Sequence, residues 1–141
     1  MGSRRTAREV VIKKLYAYEI SKGGDNPCEE LLIEDCSKFD KKARIFADAL
    51  YEGIQKHVSE IDSIIKTYAD NWEIERMAAL DKNILRTAIY EMKYMENIPP
   101  VVSINEAIDM AKKYSTRDSG KFVNGILDKI HKKLILREKN P

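Results

Sequence analysis

The sequence predicts an all-α fold, a helical bundle of six to seven helices in two packed subdomains, on three observations. Apolar residues recur at three- and four-residue steps along nearly all of the 141 residues, the spacing that lines up one face of a helix. Alternation at period two with β-branched residues appears nowhere, so sheets are not expected. Gly23-Gly24 and Asn97-Ile98-Pro99-Pro100 cut the pattern into helix-sized lengths. The length suits one compact domain, 1–141, with helical subdomains of about 1–70 and 71–141, each too small to stand alone.

In the first element, residues 4–21, Ala7, Val11, Leu15 and Tyr18 form the core stripe. Gly23-Gly24 stops it, and Asp25-Asn26-Pro27 turns the chain into a short second helix around Leu31 and Leu32. Ala43, Phe46, Ala47, Leu50, Ile54, Ile61, Ile65 and Tyr68 then hold one stripe over about seven turns, opening near the cap candidates Ser37 and Asp40, with Gly53 a weak point. A junction at Asp70-Asn71-Trp72 precedes the stripe Leu80, Ile84, Ala88, Met92, Met95, which the paired prolines end. Ser103-Ile104-Asn105-Glu106 has the form of a capping box before Ala107, Ile108 and Ala111. The last helix starts near Thr116–Asp118 and faces the core with Val123, Ile126, Leu127, Ile130 and Leu134.

Composition excludes several classes of function. Hydrophobic residues at 43%, charged residues at 34% and a mean hydropathy of -0.47 describe a core with a water-exposed exterior. No run approaches the roughly 18 apolar residues of a membrane span, and Lys13 and Lys14 interrupt the only early apolar stretch, so no signal peptide is expected. Cys28 and Cys36 lack a Cys-x-x-Cys spacing or a nearby His, which leaves two ordinary thiols in a reducing cytoplasm and no metal site. Phosphate-loop, dinucleotide, nucleophile-elbow and zinc-protease motifs are missing, His57 and His131 sit in charged helical surroundings, and Glu73 and Glu75 read as solvated. Neither an enzyme nor a cofactor is expected.

The net charge of +2 conceals an uneven distribution. Residues 1–22 carry +4 and residues 111–141 carry +6, whereas residues 23–36 hold five acids and no base and residues 37–110 sum to −3. Basic ends around an acidic middle suit a phosphate backbone if the fold joins the ends; two solvated helix faces would give the same count. On the first helix Ile12 and Tyr16 each project within about 20° of Arg5, well away from the core stripe. On the last, Asp118, Phe122, Gly125 and Lys129 share a line beside Lys121. Arginine beside aromatic rings is how single-stranded RNA is held: cations neutralise phosphates, bases stack on rings, and carboxylates accept from base amino groups. Glycine at position 125 would let a backbone approach closely. Rim packing of Tyr16 and Phe122 is the alternative, and both readings expect the first and last helices to be neighbours.

These residues carry a resemblance. Arg4-Arg5-Thr6-Ala7-Arg8-Glu9 with Leu15-Tyr16, then Trp72…Arg76, Ile84-Leu85-Arg86…Tyr90-Glu91, Ile104-Asn105-Glu106-Ala107…Ala111-Lys112 and Lys121-Phe122-Val123-Asn124-Gly125-Ile126-Leu127-Asp128 follow in order. The chain resembles the NusB family of bacterial transcription antitermination factors over nearly its whole length. Thr6 departs from the arginine run of some relatives, and the stretch 22–38 carries little of the likeness.

The resemblance implies two helical subdomains and no catalysis. It further implies binding of the boxA element of nascent ribosomal RNA together with the small-subunit ribosomal protein NusE, and a part in an antitermination complex on RNA polymerase. By matching position, Arg4, Arg5, Arg8, Tyr16, Asp118, Lys121 and Phe122 form the expected RNA face. Asp81, Ile84 and Leu85, with the Pro99-to-Glu106 junction, are expected near the ribosomal protein. Some relatives form a homodimer that covers the RNA face, and related domains precede a ribosomal-RNA cytosine methyltransferase module, which is not expected in a chain of this length.

Overall fold

The computed structural model describes residues 2–22, 33, 36–69 and 76–139, all of them helix, turn or short connection. The expected short helix around Leu31 and Leu32, Cys28, and the junction from Asp70 through Trp72 to Glu75 lie outside the described residues. Six main helices are present among those described: α1 (Gly2–Ile20), α2 (Lys41–Lys56), α3 (Val58–Tyr68), α4 (Ala79–Tyr94), α5 (Pro100–Tyr114) and α6 (Arg117–Ile130). A π-turn, His131–Ile135, leads from α6 into the short α7 (Leu136–Lys139). The chain divides into two compact units, Met1–Lys56 and His57–Pro141, ahead of the boundary expected near residue 70.

That earlier division follows from one residue. His57 takes a non-helical backbone, φ −111° and ψ 17°, so the expected seven-turn helix is two, α2 and α3. The apolar stripe could not reveal the break: Ile54 and Ile61 lie two turns apart, and that spacing keeps both inward, each fully buried.

In the first unit α1 packs on α2. Asp40 starts α2 as expected, its Oδ1 accepting from the backbone N–H of Ala43 at 2.8 Å. Ala7, Val11 and Leu15 are buried, but Tyr18 is 44% exposed and Ile12, expected to face outward, is 1% exposed. The buried arc of α1 is wider than one stripe and takes in Thr6, Arg8, Val10 and Ile12 as well.

In the second unit α4 is the central helix, packed by α3, α5 and α6. Its buried residues run almost all the way round: Asp81, Asn83, Ile84, Leu85, Thr87, Ala88, Ile89, Glu91 and Met92. The polar members find local partners. Asn83 Nδ2 donates to the Ala79 carbonyl at 2.8 Å, the Thr87 hydroxyl to the Asn83 carbonyl at 2.8 Å, and Arg86 makes a bidentate contact with Asp62 of α3, both bonds 2.8 Å.

The capping box expected at Ser103 is not one. Pro99 is the cap residue and Pro100 the first residue of α5, because proline's fixed φ and missing N–H suit the first helical position. Ser103 therefore lies inside the helix, where its hydroxyl donates to Glu91 Oε1 at 2.9 Å and ties α5 to α4. α6 does begin where expected, with Thr116 Oγ1 accepting from the Ser119 N–H at 3.0 Å. At its far end Ile135 rather than Leu134 is buried. The Leu136 N–H reaches back to the His131 carbonyl, five residues earlier, so the π-turn shifts the inward position by one.

Candidate functional site

The expected RNA-face residues are distributed over both units. In the first, Arg4 and Tyr16 are exposed and Arg5 is half-buried. Phe46 of α2, read from the sequence as core, is only half-buried. The guanidinium carbons of Arg4 and Arg8 lie 5.1 Å and 5.3 Å from its ring centroid, within cation–π range. This packing orients Arg4 at the surface, but it draws Arg8 in to 2% exposure. Arg8 is thus corrected from a surface contact to a buried support of the α1–α2 packing.

In the second unit the first turn of α6 and the segment entering α4 enclose a cleft of about 320 Å³. Arg76, Met77, Ala78 and Asp81 form one side, and Thr116, Asp118, Ser119 and Phe122 the other. Met77 is buried, Phe122 half-buried, and Arg76, Asp118 and Lys121 exposed. An apolar floor and an aromatic ring are therefore rimmed by charges of both signs, a setting for a flat, partly polar group. Gly125 is exposed, and a Cβ built there would meet no atom within 4 Å, so the surface beyond the ring is open.

Asp81 is the unexpected member. Its Oδ2 accepts from the Ser119 hydroxyl at 3.2 Å, which in turn lies 2.8 Å from the Ser115 hydroxyl. Its buried Oδ1 has no hydrogen-bond partner among the described residues. Burial raises the Asp81 pKa above the ordinary carboxylate value, and the Ser119 bond offsets this in part. A carboxyl whose folded pKa is raised favours the fold most when protonated. That contribution is complete below the unfolded value and fades as pH rises through the folded one. Asp81→Asn is accordingly expected to melt at a higher temperature than the parent at pH 7, with the gain shrinking as pH falls through the raised folded value and gone below about 4. Thermal melts at the two pH values check this, and a lower melting temperature at pH 7 would contradict the assignment.

The partner-facing expectation needs a second correction. Ile84 and Leu85 are 0% exposed and Asp81 8% exposed, so the first two are core residues of a helix buried nearly all round and the third belongs to the cleft. Of the region expected near the ribosomal protein, the start of α5 is what reaches the surface, with Val101 56% and Val102 40% exposed.

A separate group surrounds His57. Its ring stacks on Tyr94 at 4.4 Å between centroids, and its Nδ1 lies 3.8 Å from Glu60, a carboxylate neighbour that the sequence did not suggest. The Tyr94 hydroxyl donates to the same Glu60 oxygen. That hydrogen bond, with lesser help from burial and nearby charge, holds the Tyr94 phenol up to about 12. Among the described residues no three His, Cys, Asp or Glu side chains gather as a metal site would require, and no helix is long and apolar enough to cross a membrane.

Residues 5–132 match the model of the NusB family. A transcription antitermination protein NusB of Thermodesulfovibrio yellowstonii is 46% identical, over 97% of this chain and 97% of its own. Among solved structures, NusB of T. maritima is 40% identical with a TM-score of 0.82, over 96% of this chain and 95% of that one. A structure of the antitermination factors NusB and NusE in complex with double-stranded RNA contains a chain 30% identical to this one. Its TM-score is 0.79, over 94% of this chain and 98% of that one.

Proposed function

Because the chain belongs to the NusB family, matching its model over residues 5–132, we propose that it binds RNA jointly with the ribosomal protein NusE and acts in transcription antitermination. The RNA is the boxA element of nascent ribosomal transcripts in the bacterial cytoplasm, and the joint complex is a loading point on RNA polymerase. The protein acts by binding and positioning rather than by catalysis.

The observation that carries this reading is the cleft at the start of α6, where Phe122 and Asp118 stand beside Arg76 and Asp81. Phe122 offers a face for a base, the carboxylates accept from its amino groups, and Arg76 and Lys121 attract phosphate. Arg4, Arg5 and Tyr16 supply a second set of contacts from α1, with Arg4 steadied on Phe46. A solved relative described with NusE and RNA supports the choice of both partners. With Ile84 and Leu85 in the core, the NusE contact passes to the exposed Val101 and Val102, whose neighbourhood the family likeness already suggested. Mutual aid between the two partners of about 1–3 kcal/mol is enough to make them bind as a unit.

The test is a fluorescence titration with single-stranded boxA-type RNA, a scrambled strand and a duplex, with and without NusE protein, at two salt concentrations. Tighter binding of the boxA strand than of the scrambled one, with a preference that widens when NusE is present, is the expected result. Equal affinity for both strands under every condition would overturn the reading. Salt separates the two components, since phosphate attraction weakens with salt while base preference persists.

A further inference from the structure

We infer that Lys112 is an additional phosphate-binding residue of the RNA interface and that Gly120 is the residue that positions it. The inference rests on the RNA-binding reading above and extends the interface across α6, beyond the cleft. Within the second unit α5 and α6 pack side by side. Gly120, in the first turns of α6, is buried. A Cβ placed on it would stand 2.9 Å from Lys112 Cγ, 3.2 Å from Cε and 3.6 Å from Cδ. The Lys112 stem therefore lies flat against the α6 backbone, an approach that the missing side chain at position 120 permits. Lys112 as a whole remains exposed, so its ammonium is presented to solvent from a stem already fixed by packing.

Helical geometry puts that ammonium at the edge of a continuous track. At about 100° per residue, Gly120, Arg117, Lys121, Gly125, Asp118 and Phe122 succeed one another around α6 over about 200°. The lysine stem thus marks one flank of the helix and the aromatic ring the other, with Arg117, Lys121 and the open surface at Gly125 between them. Arg117 and Lys121 are exposed, and none of the three cations has an ion pair among the described residues. Asp118 and Asp128 are the carboxylates among the α6 residues in this arc, and Asp128 is paired with Lys132 at 3.1 Å. A strand whose base stacks on Phe122 and whose backbone crosses over Lys121 meets Lys112 next. A pre-seated side chain loses less rotamer freedom on binding a phosphate than a loose surface lysine does.

The experiment uses the full chain and a fluorescein-labelled single-stranded boxA-type RNA, titrated over a salt series, with Lys112→Gln, Gly120→Ala, their double variant, Phe122→Ala, and, as control, Lys66→Gln on α3, outside both the cleft and this arc. Loss of one phosphate contact is expected to flatten the slope of log affinity against log salt by about 0.7 and to weaken binding about five-fold near 0.1 M salt. Gly120→Ala is expected to reproduce both effects by lifting the lysine stem. Alanine is the better helix former, so its melting temperature should not fall with the affinity. The double variant should be no weaker than Lys112→Gln alone, because both changes remove the same contact. If Lys112→Gln matches Lys66→Gln in affinity and slope while Phe122→Ala still weakens binding, the inference is overturned and the RNA reading stands. If the parent protein binds no RNA, both are overturned. Should Gly120→Ala fail to fold, the salt slope of Lys112→Gln decides by itself.

Discussion

Replacing Leu85 by alanine is expected to remove about 2–5 kcal/mol of stability and to lower the melting temperature by roughly 10 °C. Leu85 is 0% exposed on the helix that α3, α5 and α6 all pack against. Its truncation forfeits both the transfer free energy of the lost carbons and the contacts around the space they leave. Sequence likeness alone would assign this position to a protein partner, and the two assignments give opposite results. An interface leucine replaced by alanine leaves the melt unchanged and weakens NusE binding; a core leucine lowers the melt. Calorimetry or circular dichroism on the isolated protein separates them, and an unaltered melting curve would return Leu85 to the interface.

Phe122→Ala is expected to weaken RNA binding by about 1–3 kcal/mol, the usual worth of a base stacked on an aromatic ring, which is about 5- to 150-fold in affinity. Phe122 is half-buried at the cleft, not sunk in the core, so the variant should stay helical. Phe122→Tyr keeps the ring and should keep most of the affinity. Phe122→Leu keeps apolar bulk without a ring and should lose nearly as much as alanine does. If Leu binds as well as Phe, the side chain acts through packing and base stacking is excluded.

The fold was legible where one residue's chemistry acts locally. Asp40 was readable as a cap, and Thr116–Asp118 as a helix start, because a short oxygen-bearing side chain satisfies an amide two or three residues ahead. Helix phases were readable from apolar spacing. Boundaries set by competition were not: Pro99-Pro100 and Ser103-x-x-Glu106 both announce a helix start, and the proline prevails because the Ser103 hydroxyl has a better partner in Glu91. Carrying family positions onto a helix face also fails when the helix is enclosed, as for Ile84 and Leu85. Arg8 shows the same limit, since a charge that looks surface-bound in sequence is covered once Phe46 lies beside it. The cleft joins Asp81 to Ser119, 38 residues apart, and no local pattern announces such a pairing. Phe122 was readable because an aromatic off the core stripe, in line with charge, stands out.

The π-turn between α6 and α7 acts as a phase shifter. Ile130 and Ile135 are both buried although five residues separate them, which an unbroken α-helix would not allow on a single line. The same extra residue sets the azimuth of everything downstream, including Glu138, whose carboxylate meets Lys93 of α4 at 2.7 Å. Excising one residue from His131–Leu134 would let the backbone close as regular α-helix with Ile135 four residues after Ile130, still facing inward. Closing the turn as α-helix with every residue kept would instead swing the tail by about 100°, turning Ile135 out to water and carrying Glu138 away from Lys93. A local irregularity that sequence comparison would score as a simple insertion thus fixes which side of the closing segment faces inward.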